Sequence, residues 1–216
     1  MIVPANRVLR TRLELKLSET CRLRFVPASR ETKSHPFHGW WFTSASVPLK
    51  GCLVNPNNPD GRVVSRDELL AAAERTTRQG GVLVSDEAFM EVGPESTSLA
   101  NGVDLAPIAV LRSFGKFFGL SGLRLSFAVT SPQLASQLRA RLGPWPVSGP
   151  AISIGSTALA DQAWIAETRV RLSAASKRLT SLLQTSGLAT IGQTDLFCLV
   201  RTEDGKQVFA ILGEAG

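Results

Sequence analysis

Residues 113–124 read Ser113-Phe114-Gly115-Lys116-Phe117-Phe118-Gly119-Leu120-Ser121-Gly122-Leu123-Arg124. Lys116 lies among small and aromatic residues, just after an apolar run and eight residues before Arg124. A lysine amine in this setting suits formation of a Schiff base beside a bound phosphate group. The stretch therefore points to pyridoxal phosphate as a cofactor, which in turn requires several other groups from the chain.

The composition is that of a globular protein. Of the 216 residues, 44% are hydrophobic, and the mean hydropathy is +0.08. A chain of this length can form one full domain or parts of two. It contains no apolar run approaching the roughly 18 residues of a membrane span, and no continuous apolar segment of a secretory signal follows its N-terminus. We therefore expect a cytoplasmic protein.

The net charge of +6 is confined to the first quarter of the chain. Residues 1–50 contain nine Lys or Arg and three Asp or Glu, whereas residues 51–216 contain fifteen of each. Three interpretations of the basic segment stay open: a solvated extension, a stretch foreign to the rest as from a truncated or frame-disrupted gene, and an arm for nucleic-acid binding or targeting. The balanced remainder is typical of a metabolic enzyme that binds neither nucleic acid nor a membrane.

Histidine and cysteine usage indicates no metal site. His35 and His38 have no cysteine or carboxylate at ligand spacing beside them. Cys21, Cys52 and Cys198 are odd in number, widely spaced and without a CxxC pair. This pattern predicts reduced thiols rather than disulfides or a structural zinc ion.

From Gly51 onward, short apolar runs alternate with helical patterns, which predicts an α/β fold with a mostly parallel sheet. Strands are predicted at 52–54, 82–84, 109–111, 125–129 and 196–200, and helices at 65–80, 132–141, 161–183 and from 207. The Gly- and Pro-rich residues 143–150 are predicted to form a loop.

Polar side chains follow three of these strands. Asn58 follows the first strand in the turn NPNNPDG, Asp86 and Glu87 follow the second, and Ser113 and Lys116 follow the third. Ligands of open α/β sheets collect at the carboxyl ends of the strands. We therefore expect these residues to lie along one edge of the sheet.

Pyridoxal phosphate needs four kinds of group from a protein. Lys116 would supply the amine for its aldehyde, Asp86 the carboxylate for its ring nitrogen and Asn58 the donor to its phenolate oxygen. Ser113 and Arg124 would hold its phosphate. The carboxylate keeps the ring nitrogen protonated, so that the ring accepts the electron pair left when a bond at the substrate's α-carbon breaks. We also expect Lys116 to be partly desolvated.

These motifs together resemble the fold type I, class I and II aminotransferase superfamily over residues 51 to about 212. The resemblance carries the same roles to Asn58, Asp86, Lys116, Ser113 and Arg124. It implies a pyridoxal-phosphate-dependent transferase fold, with a partial large cofactor-binding domain over residues 51–160 and a linking helix and partial small domain over residues 161–216. It also implies a homodimer, because the family builds its active site across two subunits. Residues 1–50 are not family-like.

Within the superfamily, the turn NNPDG, the segment DEAFMEVGP from Asp86 and the stretch FGKFFGL around Lys116 are most similar to the threonine-phosphate decarboxylases of cobalamin biosynthesis. That family removes the α-carboxylate of L-threonine O-3-phosphate and releases aminopropanol phosphate. The resemblance thus implies a carbon–carbon lyase acting on a small phosphorylated amino acid. Two alternatives stay open: an aminotransferase like those acting on histidinol phosphate, and a catalytically impaired or partner-binding fragment of either enzyme.

Several departures from the family pattern affect these expectations. Many members have tyrosine at the position of Phe89, and this chain contains no tyrosine. Ser126 stands where glycine or alanine is usual. The resemblance also implies a Gly-rich phosphate loop before the turn at Asn58, which residues 1–50 do not contain, and a substrate-gripping arginine beyond Gly216. We therefore expect the chain as given to bind the cofactor weakly and to turn over poorly.

Overall fold

The computed structural model describes residues 49–215. Residues 1–48, which include most of the basic segment with Cys21, His35 and His38, lie outside the described residues. The elements are, in chain order, β1 (Leu49–Val54), α1 (Arg66–Arg78), β2 (Val82–Asp86), β3 (Ile108–Ser113), β4 (Ser126–Thr130), α2 (Pro132–Leu142), α3 (Gly149–Ala160), α4 (Gln162–Thr185), β5 (Ala189–Thr194), β6 (Phe197–Arg201) and α5 (Gly205–Ala215).

Two sheets organise these elements. The first has the order β1-β2-β3-β4, in which β1, β2 and β3 are parallel and β4 is antiparallel to β3. The second is an antiparallel pair of β5 and β6. The expected mostly parallel sheet with flanking helices is therefore confirmed, whereas the expected domain boundary at residue 160 stays a prediction.

The first helix shows how the sequence sets a local boundary. Ser65 caps α1, because its Oγ accepts a hydrogen bond from the Glu68 N–H and the Glu68 carboxylate accepts one from the Ser65 N–H. The helix ends before Gly80, which has a φ of +70° that favours glycine. Its inner face carries Leu69 and Ala73 into the core.

The hydrophobic core lies between α1 and one face of the first sheet. Leu69 from the helix packs with Leu83 of β2, Ile108 and Val110 of β3, and Leu99 from the connection between those strands. All five side chains are almost completely buried, and burying such a side chain contributes about 1.5–3 kcal/mol. The core therefore fixes the strands whose ends carry Asp86 and Ser113.

Two elements differ from the sequence-based expectation. The expected loop 143–150 ends early, because α3 begins at Gly149 with Ser148 as its cap and Pro150 in its first turn. Proline is compatible with the first turn of a helix, where its missing N–H has no intrahelical partner. Strand β5 was not predicted, because Ala189–Thr194 contains one large apolar residue, Ile191. None of the helices within residues 49–215 is long and apolar enough to cross a membrane.

Candidate functional site

The site begins at Asp86, the last residue of β2. Val54 of β1 and Leu111 of β3 are its neighbours in the sheet, and its Oδ1 accepts a hydrogen bond of 3.1 Å from the Ala88 N–H. Burial raises the pKa of Asp86 above its ordinary value, although the Ala88 hydrogen bond and the positive charge of Lys116 oppose that shift. A half-buried carboxylate therefore lies within electrostatic reach of the Lys116 amine.

Lys116 lies in the loop that leads from β3 into β4. This loop is closed by a hydrogen bond from the Phe114 N–H to the Leu125 carbonyl oxygen. The Lys116 Nζ lies 5.4 Å from the centre of the buried Phe89 ring, a cation–π contact. Lys116 is exposed as a residue, and the expected partial desolvation of its amine stays a prediction.

Ser113 and Arg124 lie at the two ends of the same loop. Ser113 pairs with Ser126 across β3 and β4, and its Oγ accepts a hydrogen bond of 3.1 Å from the Gly115 N–H. Arg124 is exposed, has a left-handed φ of 52°, and donates from Nη1 to the Ser121 carbonyl oxygen over 3.4 Å. Because β4 is antiparallel to β3, the residues just before β4, Arg124 and Leu125, lie at the same sheet edge as the end of β3.

Asn58 lies in the neighbouring turn after β1. The turn starts beside Asp86, since the Asn55 N–H donates to the Asp86 carbonyl oxygen over 2.9 Å. Within it, the Asn57 side chain donates to Asp60 Oδ1 over 2.7 Å, which stiffens the turn. Asn58 itself is exposed and has no hydrogen bond to the other four predicted site residues.

The turn is held against the second sheet by two glycines. A side chain at Gly61, which has a φ of +68°, would meet the backbone of Gln193 in β5, and a side chain at Gly192 would meet the backbone of Asp60. Only glycine permits backbones to approach this closely. The position of Asn58 is therefore coupled to β5.

Two structural features of the site were not predicted from the sequence. Phe197 of β6 packs edge to face on Phe89, with ring centres 5.1 Å apart, so the second sheet contacts the ring that faces Lys116. Glu87 does not join Asp86 at the ligand-facing edge but is completely buried and paired with Arg112. A charged residue inside the apolar run of β3 was the available signal, because a buried charge needs a partner.

The residues present fit a cofactor that has an aldehyde, a ring nitrogen and a phosphate. The Asp86 carboxylate accepts one hydrogen bond from the described part of the chain and is poorly solvated, so it suits a charged N–H donor. Within residues 49–215 the Lys116 amine has no ion pair within 4.0 Å, which leaves it available to an aldehyde. No cluster of three potential metal ligands occurs in the same range.

Comparisons with known proteins show which family the chain resembles. The family model described as aminotransferase class I and II matches residues 51–215. A threonine-phosphate decarboxylase from Pseudomonas aeruginosa is 48% identical over 145 residues, which cover 67% of this chain and 44% of that protein. A threonine-phosphate decarboxylase from a Sinorhizobium species is 43% identical over 153 residues, with 68% and 44% coverage. The chain thus spans less than half the length of these relatives.

A solved structure shows the same fold. It is a histidinol-phosphate aminotransferase from Sinorhizobium meliloti in complex with pyridoxal-5'-phosphate, and it is 26% identical with a TM-score of 0.57. The similarity covers 66% of this chain and 39% of that one. On the match of its family model and the identity of its relatives, the chain belongs to the aminotransferase class I and II family.

Proposed function

We propose that residues 51–215 bind pyridoxal phosphate, the cofactor of this family, at the edge of the first sheet. Lys116 would hold its aldehyde through Nζ, and Asp86 would pair with its ring nitrogen. Asn58 would donate to its phenolate oxygen, and Ser113 and Arg124 would contact its phosphate. The observation that carries this proposal is the electrostatic proximity of the half-buried Asp86 carboxylate to the Lys116 amine, which forms no ion pair with the residues that the structure describes.

The bound cofactor supplies an electron sink for the pair left on a substrate's α-carbon when a bond to that carbon breaks. Asp86 favours this chemistry, because an ionised carboxylate in a poorly solvated place stabilises a protonated ring nitrogen. The Lys116 amine is free of ion pairs with the described residues and can move a proton to or from the α-carbon. Phe89, with Phe197 packed edge to face against it, gives the Lys116 amine an aromatic neighbour on one side.

We infer that the reaction is the decarboxylation of L-threonine O-3-phosphate, which yields aminopropanol phosphate for cobalamin biosynthesis. The support comes from the two threonine-phosphate decarboxylases at 48% and 43% identity and from the resemblance of the segments NNPDG, DEAFMEVGP and FGKFFGL to that family. The protein would then be a carbon–carbon lyase. The α-carboxylate group of the substrate would leave as carbon dioxide, and a proton would take its place on the α-carbon.

The alternative is transfer of an amino group from a phosphorylated substrate such as histidinol phosphate. The solved histidinol-phosphate aminotransferase, at 26% identity, favours this alternative. A third candidate is a fragment that binds cofactor weakly and turns over poorly, and the lack of a Gly-rich phosphate-loop pattern in residues 1–50 supports it. Homodimerisation, a cytoplasmic location and the division at residue 160 belong to the same proposal and rest on the family.

Two assays separate these functions. Purified protein with pyridoxal phosphate is supplied either with O-phospho-L-threonine, to follow release of carbon dioxide, or with histidinol phosphate and 2-oxoglutarate, to follow amine transfer. We expect carbon dioxide release that Lys116→Ala abolishes. Amine transfer without carbon dioxide would establish the alternative. If neither occurs, but pyridoxal phosphate raises the thermal unfolding midpoint, binding without turnover is established, since a ligand of the native state must stabilise it.

A further inference from the structure

We propose that Arg112 and Glu87 are positioning residues, which hold the ends of β2 and β3 so that Asp86 and Lys116 face each other. The proposal deepens the proposed function, because it assigns the support of the same site. Neither residue touches the predicted cofactor-binding groups. They act from the reverse face of the sheet.

The alternation of side chains along the strands places this pair behind the site. Asp86 and Leu111 are partners in the parallel register, and the Glu87 N–H continues the ladder by donating to the Leu111 carbonyl oxygen over 2.9 Å. Successive side chains of a strand point to opposite faces. Glu87 and Arg112 therefore share one face, and Asp86 and Ser113 share the other.

The Glu87 carboxylate is fully enclosed and fully bonded. Its Oε1 accepts hydrogen bonds from the Leu99 N–H at 2.9 Å and from the Ser85 hydroxyl at 3.2 Å. Its Oε2 accepts a hydrogen bond of 2.6 Å from the Ser98 hydroxyl and forms an ion pair of 3.2 Å with Arg112. The residue directly after Asp86 is thus fixed from four directions.

The guanidinium group of Arg112 contacts the same region. Its Nη1 lies 3.1 Å from Glu91 Oε1, and its Nη2 lies 3.2 Å from Glu87 and 3.1 Å from the Ser98 hydroxyl. Its side chain is 11% exposed. Because a guanidinium presents planar, fixed donors, it can bridge two carboxylates in a way that a lysine amine cannot. The residue directly before Ser113 is thereby tied to both Glu87 and the turn at Glu91.

A gain in folding stability does not by itself explain the buried ion pair between Glu87 and Arg112. A buried ion pair is often no more stabilising than hydrophobic residues of similar volume, because desolvation offsets the attraction. The pair instead fixes the two strand ends relative to each other. Glu87 directly follows Asp86, Arg112 directly precedes Ser113, and the ion pair joins them. A small slip between these strand ends would move the carboxylate away from the lysine.

Arg112→Lys and Ser98→Ala test the proposal without changing the net charge. In the cofactor-free chain, the Asp86 carboxyl is titrated by carbon-13 NMR, and binding of pyridoxal phosphate is then measured by absorbance. Asp86 is flanked by Lys116, Glu87 and Cys52, none of which the two variants alter. We expect the Asp86 titration to move toward the ordinary aspartate range as water enters, and cofactor affinity to fall about tenfold, as for loss of a hydrogen bond to a charged group.

Ala71→Gly serves as the matched control, because it weakens α1 by about 1 kcal/mol through the lower helix propensity of glycine and removes no side chain of the core cluster that packs on β2 and β3. It should lower the unfolding midpoint and leave the Asp86 titration in place. The proposal is wrong if both variants keep the native titration, or if Ala71→Gly shifts it equally. Failure of the proposed function is seen separately, as absence of cofactor binding by the unaltered chain, while the NMR titration still decides the positioning role.

Discussion

Asp86 is partly buried, yet its carboxylate must stay ionised in order to pair with the protonated ring nitrogen of the proposed cofactor. Burial raises its pKa, so the folded chain holds its proton more tightly than the unfolded chain does. The stabilisation linked to this group is therefore complete below about pH 4, where both states are protonated. It is lost as the pH rises through the raised pKa. The residue best placed for the chemistry destabilises the fold at neutral pH.

Asp86→Asn should therefore separate stability from binding. In the cofactor-free chain we expect an equal or higher unfolding midpoint at pH 8 and a weaker dependence of the midpoint on pH above 4, because the amide carries no charge. Pyridoxal phosphate should raise the midpoint of the variant less than that of the unaltered chain. Asp104→Asn, at an exposed loop acid, is the control. A cofactor-free midpoint well below that of the unaltered chain at pH 8 would contradict this account.

Cys52 lies in β1 opposite Val84, close enough to Asp86 for the two charges to interact. Burial raises the pKa of the Cys52 thiol to about 12, and the negative charge of Asp86 adds to the shift. Since the thiolate is the reactive form, we expect iodoacetamide to leave Cys52 unmodified in the folded chain at pH 8 and to modify it in urea. Mass spectrometry of the peptide that contains Cys52 measures the modification. Rapid modification without denaturant would show that the site is more open than described.

The five predicted site residues follow from the motifs, because strand ends and turn residues have recognisable sequences. The proximity of Asp86 and Lys116 was expected from parallel strands whose carboxyl ends meet at one edge. The role of Glu87 was not predictable from its position after Asp86, since a second acid there is equally compatible with solvent. Its partner Arg112 is 25 residues away in sequence, and only the register of β2 and β3 brings them together.

At the scale of elements, local rules correctly predicted where α1 and α2 begin, whereas α3 was missed although Ser148 and Pro150 give it the same local signals. The capping box of α1 and Pro132 at the start of α2 set both helix boundaries. Strand β5 depends instead on non-local contacts, because Thr190 to Thr194 pairs with β6 and rests against the turn at Asp60. Such contacts leave no periodic pattern in the sequence.

The contact between β5 and the turn gives a further prediction. Gly192→Ala places a methyl group against the backbone of Asp60, so the turn that carries Asn58 must move. We expect destabilisation of about 1–3 kcal/mol, typical of overpacking, and weaker binding of pyridoxal phosphate. Urea unfolding and an absorbance titration measure the two effects.

Gly213→Ala is the control for this change, because no atom lies within 4 Å of the added methyl group and the residue is in α5. Alanine favours helix more than glycine does, so this variant should be neutral or slightly stabilising. If Gly192→Ala behaves in the same way, β5 does not hold the turn.

At the scale of the whole molecule, one sheet edge collects the chemical groups and a second sheet covers part of it. The four-stranded sheet supplies Asp86, Ser113 and Lys116 from neighbouring strand ends. Phe197 from the second sheet reaches Phe89 beside them.

Reduction with borohydride tests the central claim, because it converts a Schiff base between pyridoxal phosphate and a lysine into a stable bond. The account predicts that peptide mapping of the reduced chain finds the pyridoxyl group on Lys116. It should be absent from Lys116→Ala and scarce on Lys177, an exposed lysine of α4. A label spread evenly over surface lysines, or no label on the Lys116 peptide, would contradict it.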